Sequence, residues 1–384
     1  MVLEQKKVSI VLVLLTLCLF ACEEQTKKNG APLYSVDITT IKNHGKSVDW
    51  LFRENLIATA RQLYDGYYDV VVFSMDDPEN ETWLTHNTPG APGKHNGNPA
   101  WHPSGEYIVF TAENEDLPEQ YDDIAKPGRG VNCNLWLAEA DGSDFYQLTD
   151  YRTRYWNARA VIHPQFSHDG TRLFWAERIA DDAGTYWGKW VMKTADFIDD
   201  GFDHPHLDNI QTFDPGEQSC FYESHGFSLD DNSIMFAGNL LEGQHETGMD
   251  IYELDVYSGN LTQLTASLSD WDEHAHRSPD GTKIAWMSSA GLDVEFPEDM
   301  GPLDWRYYLA TELWIMDADG ANKQRLTFYN DPNHLHHKAP RTAVSDSAWS
   351  PDGNSLIVLV AHYDGTGPDS RGRTELVLVT LSQN

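Results

Sequence analysis

Apolar residues along most of this chain come in short runs, such as Tyr107-Ile108-Val109-Phe110 and Leu313-Trp314-Ile315-Met316, bounded by Gly, Pro, Asp, Asn or Ser. Runs of that length with turn residues at both ends predict β-strands. The runs recur in one phrase: a strand ending in an aromatic residue, a Ser-Pro-Asp-Gly-like turn, a second strand, a variable loop, a third strand, an Asp-Gly-type turn and a closing Leu-Thr. The aromatic-plus-turn copies are Trp101-His102-Pro103-Ser104-Gly105, Phe166-Ser167-His168-Asp169-Gly170, Phe227-Ser228-Leu229-Asp230-Asp231, Arg277-Ser278-Pro279-Asp280-Gly281 and Trp349-Ser350-Pro351-Asp352-Gly353. The closing copies are Leu84-Thr85, Leu148-Thr149, Leu264-Thr265 and Leu326-Thr327. Asp141-Gly142 and Asp319-Gly320 are strong hairpin signals.

Each repeat therefore reads as four antiparallel strands, A to D. One such sheet cannot bury both faces, but sheets stacked radially cover one another, which predicts an all-β, six-bladed β-propeller. A weaker first copy covers residues 47–85. The last copy stops after strand C, and its missing D strand is expected from residues 33–40, so that an N-terminal strand closes the ring and removes an exposed edge.

The phrase resembles the WD40-like (PD40) repeat of TolB-like propellers, shared with the propellers of prolyl-oligopeptidase-type peptidases and, more weakly, of oligogalacturonate lyases. The resemblance implies the fold. The peptidases also need a hydrolase domain with a G-x-S-x-G elbow, a motif this sequence does not contain.

The N-terminus changes the picture of where the protein works. Lys6-Lys7 precede an apolar run over residues 8–20 that suits a signal h-region and is too short to span a bilayer. The run ends Leu19-Phe20-Ala21-Cys22, which resembles a bacterial lipobox. Residues 1–21 are then a lipoprotein signal peptide, Cys22 is the lipidated residue with a polar tether to residue 32, and residues 33–384 are the propeller. The expected location is the bacterial cell envelope, lipid-anchored on the periplasmic or cell-surface face of the outer membrane, with membrane contact through the anchor only. Cys133 and Cys220 remain in the body, and sequence leaves open whether they pair.

With 27 Lys and Arg against 60 Asp and Glu, the formal net charge is −33. Such a field repels nucleic acid, so the expected partners are a glycan, a peptide or an envelope protein bound by a monomer.

Propeller connectivity puts the B–C loops, the D–A crossings and the start of each strand A on one face. The long loops, residues 113–131, 177–188, 239–249, 288–311 and 362–373, all fall there. Long loops on a rigid scaffold are where binding residues concentrate. Strand A opens with His163 in blade three, His225 in blade four, and His274 and His276 in blade five. Strand alternation would place the last two on one side, about 6.5 Å apart. They are candidate metal ligands, with His334 and His336 from the next crossing, and Asp272, Glu273 and Asp331 as oxygen donors. Manganese or zinc is the expected ion. His102, His168, His204 and His206 read as structural. Arg152, Arg154 and Arg159 interleave with aromatics in the crossing to blade three and, with His163 and Arg277, are candidate substrate-binding residues for an anionic sugar.

Two functions follow. One is a binding module acting through the loop-rich face. The other, implied by the resemblance to oligogalacturonate lyases, is a metal-assisted oligouronide lyase in which His225 takes the α-proton.

Overall fold

The computed structural model describes residues 32–116, 122–154 and 158–384. Six four-stranded antiparallel sheets form a six-bladed β-propeller. After β1 (Tyr34–Lys42), blade one is β2 (Lys46–Trp50), β3 (Leu56–Gln62), β4 (Tyr68–Ser74) and β5 (Asp77–Trp83). Blade two is β6 (Asn96–Trp101), β7 (Tyr107–Glu113), β8 (Cys133–Glu139) and β9 (Phe145–Gln147). Blade three is β10 (Ala160–Phe166), β11 (Arg172–Ala180), β12 (Lys189–Ile198) and β13 (His206–Phe213). Blade four comprises β14 (Tyr222–Phe227), β15 (Ser233–Gly238), β16 (Asp250–Asp255) and β17 (Leu261–Gln263). Blade five comprises β18 (Asp272–Arg277), β19 (Lys283–Ser288), β20 (Glu312–Asp317) and β21 (Gln324–Arg325).

Blade six is β22 (Arg341–Trp349), β23 (Ser355–Tyr363), β24 (Gly372–Gln383) and β1, the first described strand on the outside of the last sheet. Val36 faces Leu381, Ile38 faces Val379 and Thr40 faces Val377 in an antiparallel ladder. The edge that the shortened last repeat would leave open is thus covered, as expected. Gln324 adds a clasp to blade five, accepting from the Tyr34 N–H at 3.1 Å and donating to the Tyr34 carbonyl at 2.7 Å.

The repeated residues earn their places through local hydrogen bonds. In the A–B turns, Ser167, Ser228, Ser278 and Ser350 each donate a hydroxyl to the Asp two residues on, at 2.6–2.7 Å. The same hydroxyls accept from the first N–H of strand B, at 2.9–3.0 Å. Gly170, Gly281 and Gly353 close these turns at φ 76°, 73° and 68°, the left-handed region that glycine adopts without strain. The closing Leu-Thr works similarly. Thr85, Thr149, Thr265 and Thr327 accept from a strand-C N–H at 2.9–3.0 Å. They also donate to Asp69, Asn134, Asp250 and Glu312 at the head of that strand, at 2.6–3.1 Å. Leu84, Leu264 and Leu326 are buried beside them.

Central strands are buried on both faces, as in β15, because each blade packs between two others. Cys133 and Cys220 are free and buried in different parts of the core, so no disulfide joins them. His206 opens β13. Among the described residues, no helix is long and apolar enough to cross a membrane.

Candidate functional site

Every innermost strand carries an irregularity in its pairing to strand B. It lies between Lys46 and Val48, Gly97 and Ala100, Ile162 and Gln165, Ser224 and Gly226, Glu273 and His276, and Val344 and Ser347. Ser47, Asn98, His163 and His274 sit there with φ of 54°, 48°, 49° and 51°. Each lies three residues before the aromatic slot (Arg277 in blade five), as do Ser224 and Asp346. A bulge re-aims side chains and breaks the two-residue alternation of a strand. Left-handed backbone at non-glycine residues is strained, and such strain gathers at functional sites. Polar side chains stitch the bulges together: Asp346 accepts from the Val48 N–H at 2.9 Å, Ser47 from the Asn98 N–H at 3.2 Å, and Ser224 donates to the His163 carbonyl at 2.7 Å.

The bulges divide the channel into two ends. At the loop-rich end lies a cavity of about 360 Å³ whose floor includes His163, Glu223, Glu273, His274 and Asp346. Its wall is aromatic: Trp271 lies 5.7 Å from Trp187 and 5.2 Å from Trp305, ring centre to ring centre. The loops that carry Trp187 and Trp305 are tied by a hydrogen bond of 2.7 Å from the Trp187 indole to the Pro302 carbonyl. Lys46, Arg129, Arg178 and Arg306 bring positive charge to this cavity. At the opposite end, among the A–B turns, a smaller cavity of about 140 Å³ is lined by Asp49, His168, His225, His276 and Arg277.

On the floor, Glu223 Oε1 lies 3.3 Å from His163 Nε2 and 3.3 Å from His274 Nδ1. The three ligand-type atoms all fall within 4.8 Å of one another. Burial pushes the His163 imidazole down to about 4 and the His274 imidazole down to about 3. Both rings are therefore neutral, lone-pair donors at neutral pH. Burial, and then the neighbouring Glu273 and Asp346 carboxylates, raise Glu223 well above the usual range. Burial also works to raise Asp346, but the hydrogen bond from His276 and the flanking imidazoles hold it well below. Burial and then Arg129 bring the Lys46 ammonium down to about 8.

No protein-family model matches this chain, and no curated protein matches it. Solved structures do. A putative TolB from Agrobacterium tumefaciens is 15% identical with a TM-score of 0.51, covering 92% of this chain and 100% of its own. A puromycin-hydrolyzing peptidase from Mycobacterium tuberculosis is 13% identical with a TM-score of 0.51, covering 86% of this chain and 42% of its own. The fold is TolB-like.

Within this TolB-like propeller the expected site residues separate. His163 and His274 meet at the loop-rich cavity, on adjacent sides of Glu223. The expectation that His225, His276 and Arg277 share that mouth is corrected: they line the opposite cavity. In blade five the reason is the bulge at His274, which breaks the alternation between His274 and His276, and in blade four the irregularity between Ser224 and Gly226 falls at His225. Asp346 Oδ1 stands between the two ends, 3.2 Å from His276 Nε2 and 3.8 Å from His274 Nδ1, and Arg277 pairs with Glu253 at 3.0 Å. His334 and His336 pack on each other at 4.3 Å and on Phe328, apart from the three-residue cluster.

Arg152 is 74% exposed beside Asp150, and Arg154 is exposed. Arg159 is taken up by Glu177 and lies over the Tyr151 ring at 5.0 Å. The crossing's remaining aromatics, Tyr155 and Trp156, and the lipidation candidate Cys22 lie outside the described residues. The cationic lining comes instead from Lys46, Arg129, Arg178 and Arg306. Sequence reading passed over Lys46, Glu223 and Asp346, although the repeat frame marks them: they stand four or three residues before the aromatic slot, like Glu273 and His274.

Proposed function

We propose that the protein is a ligand-binding module of the bacterial cell envelope, holding a glycan in the loop-rich cavity. The observation that carries this reading is the cavity of about 360 Å³, walled by Trp187, Trp271 and Trp305 with guanidinium groups beside them. Indole faces stack on sugar rings, and arginines pair with uronate carboxylates. The TolB-like fold is consistent with a binding module. The basic start, the apolar run and Cys22 support lipid anchoring in the envelope. Titrating the protein with neutral and uronate oligosaccharides, read by tryptophan fluorescence, tests this. Saturable quenching that weakens roughly tenfold in Trp305→Ala supports the reading. No quenching by either class overturns it.

The His163, Glu223 and His274 cluster favours a second reading, a metal-assisted oligouronide lyase in the same cavity. His225 lines the other cavity, so a base on the loop-rich side must come from groups there. Lys46, brought down to about 8, lines that cavity and is poised for general-base work. Appearance of the ultraviolet absorbance of an unsaturated uronate separates lyase from binding module.

A further inference from the structure

We propose that His163 Nε2, Glu223 Oε1 and His274 Nδ1 form a three-residue site for a divalent transition metal, with its open coordination position facing the loop-rich cavity. Two donors held tetrahedrally at about 2.0–2.1 Å from one ion lie about 3.3–3.4 Å apart. The two distances from Glu223 Oε1 to the imidazole nitrogens are both 3.3 Å. A hydrogen bond between the same groups would be shorter, at about 2.7–3.2 Å. Among the described residues, neither Glu223 Oε1 nor His274 Nδ1 has a hydrogen-bond partner, although Glu223 is 4% exposed and His274 8%. Buried polar atoms in native proteins are seldom left unmatched. An ion between them satisfies both and lets the buried carboxylate stay ionised beside Glu273.

The surroundings orient the ligands. Ser345 Oγ lies 3.4 Å from His274 Nε2 and Glu273 Oε2 3.9 Å from it, so acceptors stand ready for an Nε2 proton once Nδ1 gives its lone pair to the ion. The Asn98 amide nitrogen lies 3.2 Å from His163 Nε2, a contact that coordination would replace. Both histidines come from left-handed bulge positions, and Glu223 comes from the strand between theirs. Two imidazoles and one carboxylate suit zinc better than manganese. All three residues line the cavity, so the fourth position is available to water or to an oxygen of a bound molecule. The site differs from the one expected from sequence, which joined His274 to His276, His334 and His336. It stands independently of the glycan reading.

The test uses the metal alone. Protein purified without chelator is expected to carry about one zinc per chain, and chelator-stripped protein to regain its thermal midpoint on adding zinc. Cobalt substitution should give the intense visible bands of a four-coordinate ion. Glu223→Gln, which keeps the shape, should weaken zinc more than about 100-fold, and Ser345→Ala about tenfold. His163→Asn should also lose the metal while folding, because Asn98 already occupies the equivalent left-handed position at φ 48°. His334→Ala should bind zinc as wild type does. The proposal is overturned if zinc, manganese, cobalt and nickel all leave the stripped protein's midpoint unchanged. It is equally overturned if Glu223→Gln and His163→Asn, folded by circular dichroism, keep wild-type affinity, or if His334→Ala loses the metal. Glycan titration of the stripped protein then reports on the binding module separately.

Discussion

Thr40 on β1 donates its hydroxyl to Glu375 on β24 at 3.0 Å, so the first and last described strands are joined side chain to side chain as well as through their ladder. Glu375 also receives Lys338 at 2.7 Å and His362 at 2.8 Å. One carboxylate therefore fastens the closing strand, the crossing into blade six and strand β23.

Deleting residues 33–40 should strip this closure. The outer edge of β24 would be left unpaired, and its apolar residues would lose their cover. The expected outcome is a markedly lower thermal midpoint with concentration-dependent aggregation, measured by calorimetry and light scattering. An unchanged melting curve would show that the ring holds without β1.

Acid should loosen the same joint. Burial works to raise Glu375, but the hydrogen bonds from His362 and Lys338 prevail and lower it from 4.5 to about 2. A carboxylate depressed in the folded state contributes stability that is fully present above its unfolded value and is lost as pH falls through the folded one. The window here runs from about pH 4.5 down to about pH 2. Denaturation midpoints across that window should fall for the wild type and fall less steeply for Glu375→Gln, which should itself be less stable at pH 7.

Thr265→Val keeps the shape of the closing Leu-Thr in blade four but removes its hydroxyl. The Ile251 N–H and Asp250 then each lose a buried partner. The expected cost is about 1–3 kcal/mol in urea denaturation, with the fold unchanged. A cost near zero would mean that the recurring threonine is not what holds strands C and D in register.

Cys22→Ser should release the protein from membranes. The motif ending in Cys22 is the basis of the proposed anchor, and two or more acyl chains on that cysteine would give stable attachment. Fractionation after alkaline washing checks it: a variant that still sediments with membranes contradicts lipidation.

The blades were legible in the sequence because their turns are local. Ser278 reaches Asp280, and Thr265 reaches Asp250 within one blade, so each copy of the phrase carries its own hydrogen bonds and can be counted. Even the role of β1 followed from counting, since a repeat that ends after strand C leaves one edge without a partner. The site obeyed a different logic. Its residues come from separate blades, and which end of the channel each one faces depends on a bulge, not on residue type. His274 and His276 are two apart in an apparently regular strand, yet the left-handed turn at His274 sends one to each cavity. Glu223 looked like one acid among 60 Asp and Glu until the ring brought it between two imidazoles. Sequence alone determined the number of blades and how the ring closes; only the packing of six bulged strands around one axis decided which side chains meet, because that convergence is set by backbone direction across the whole ring.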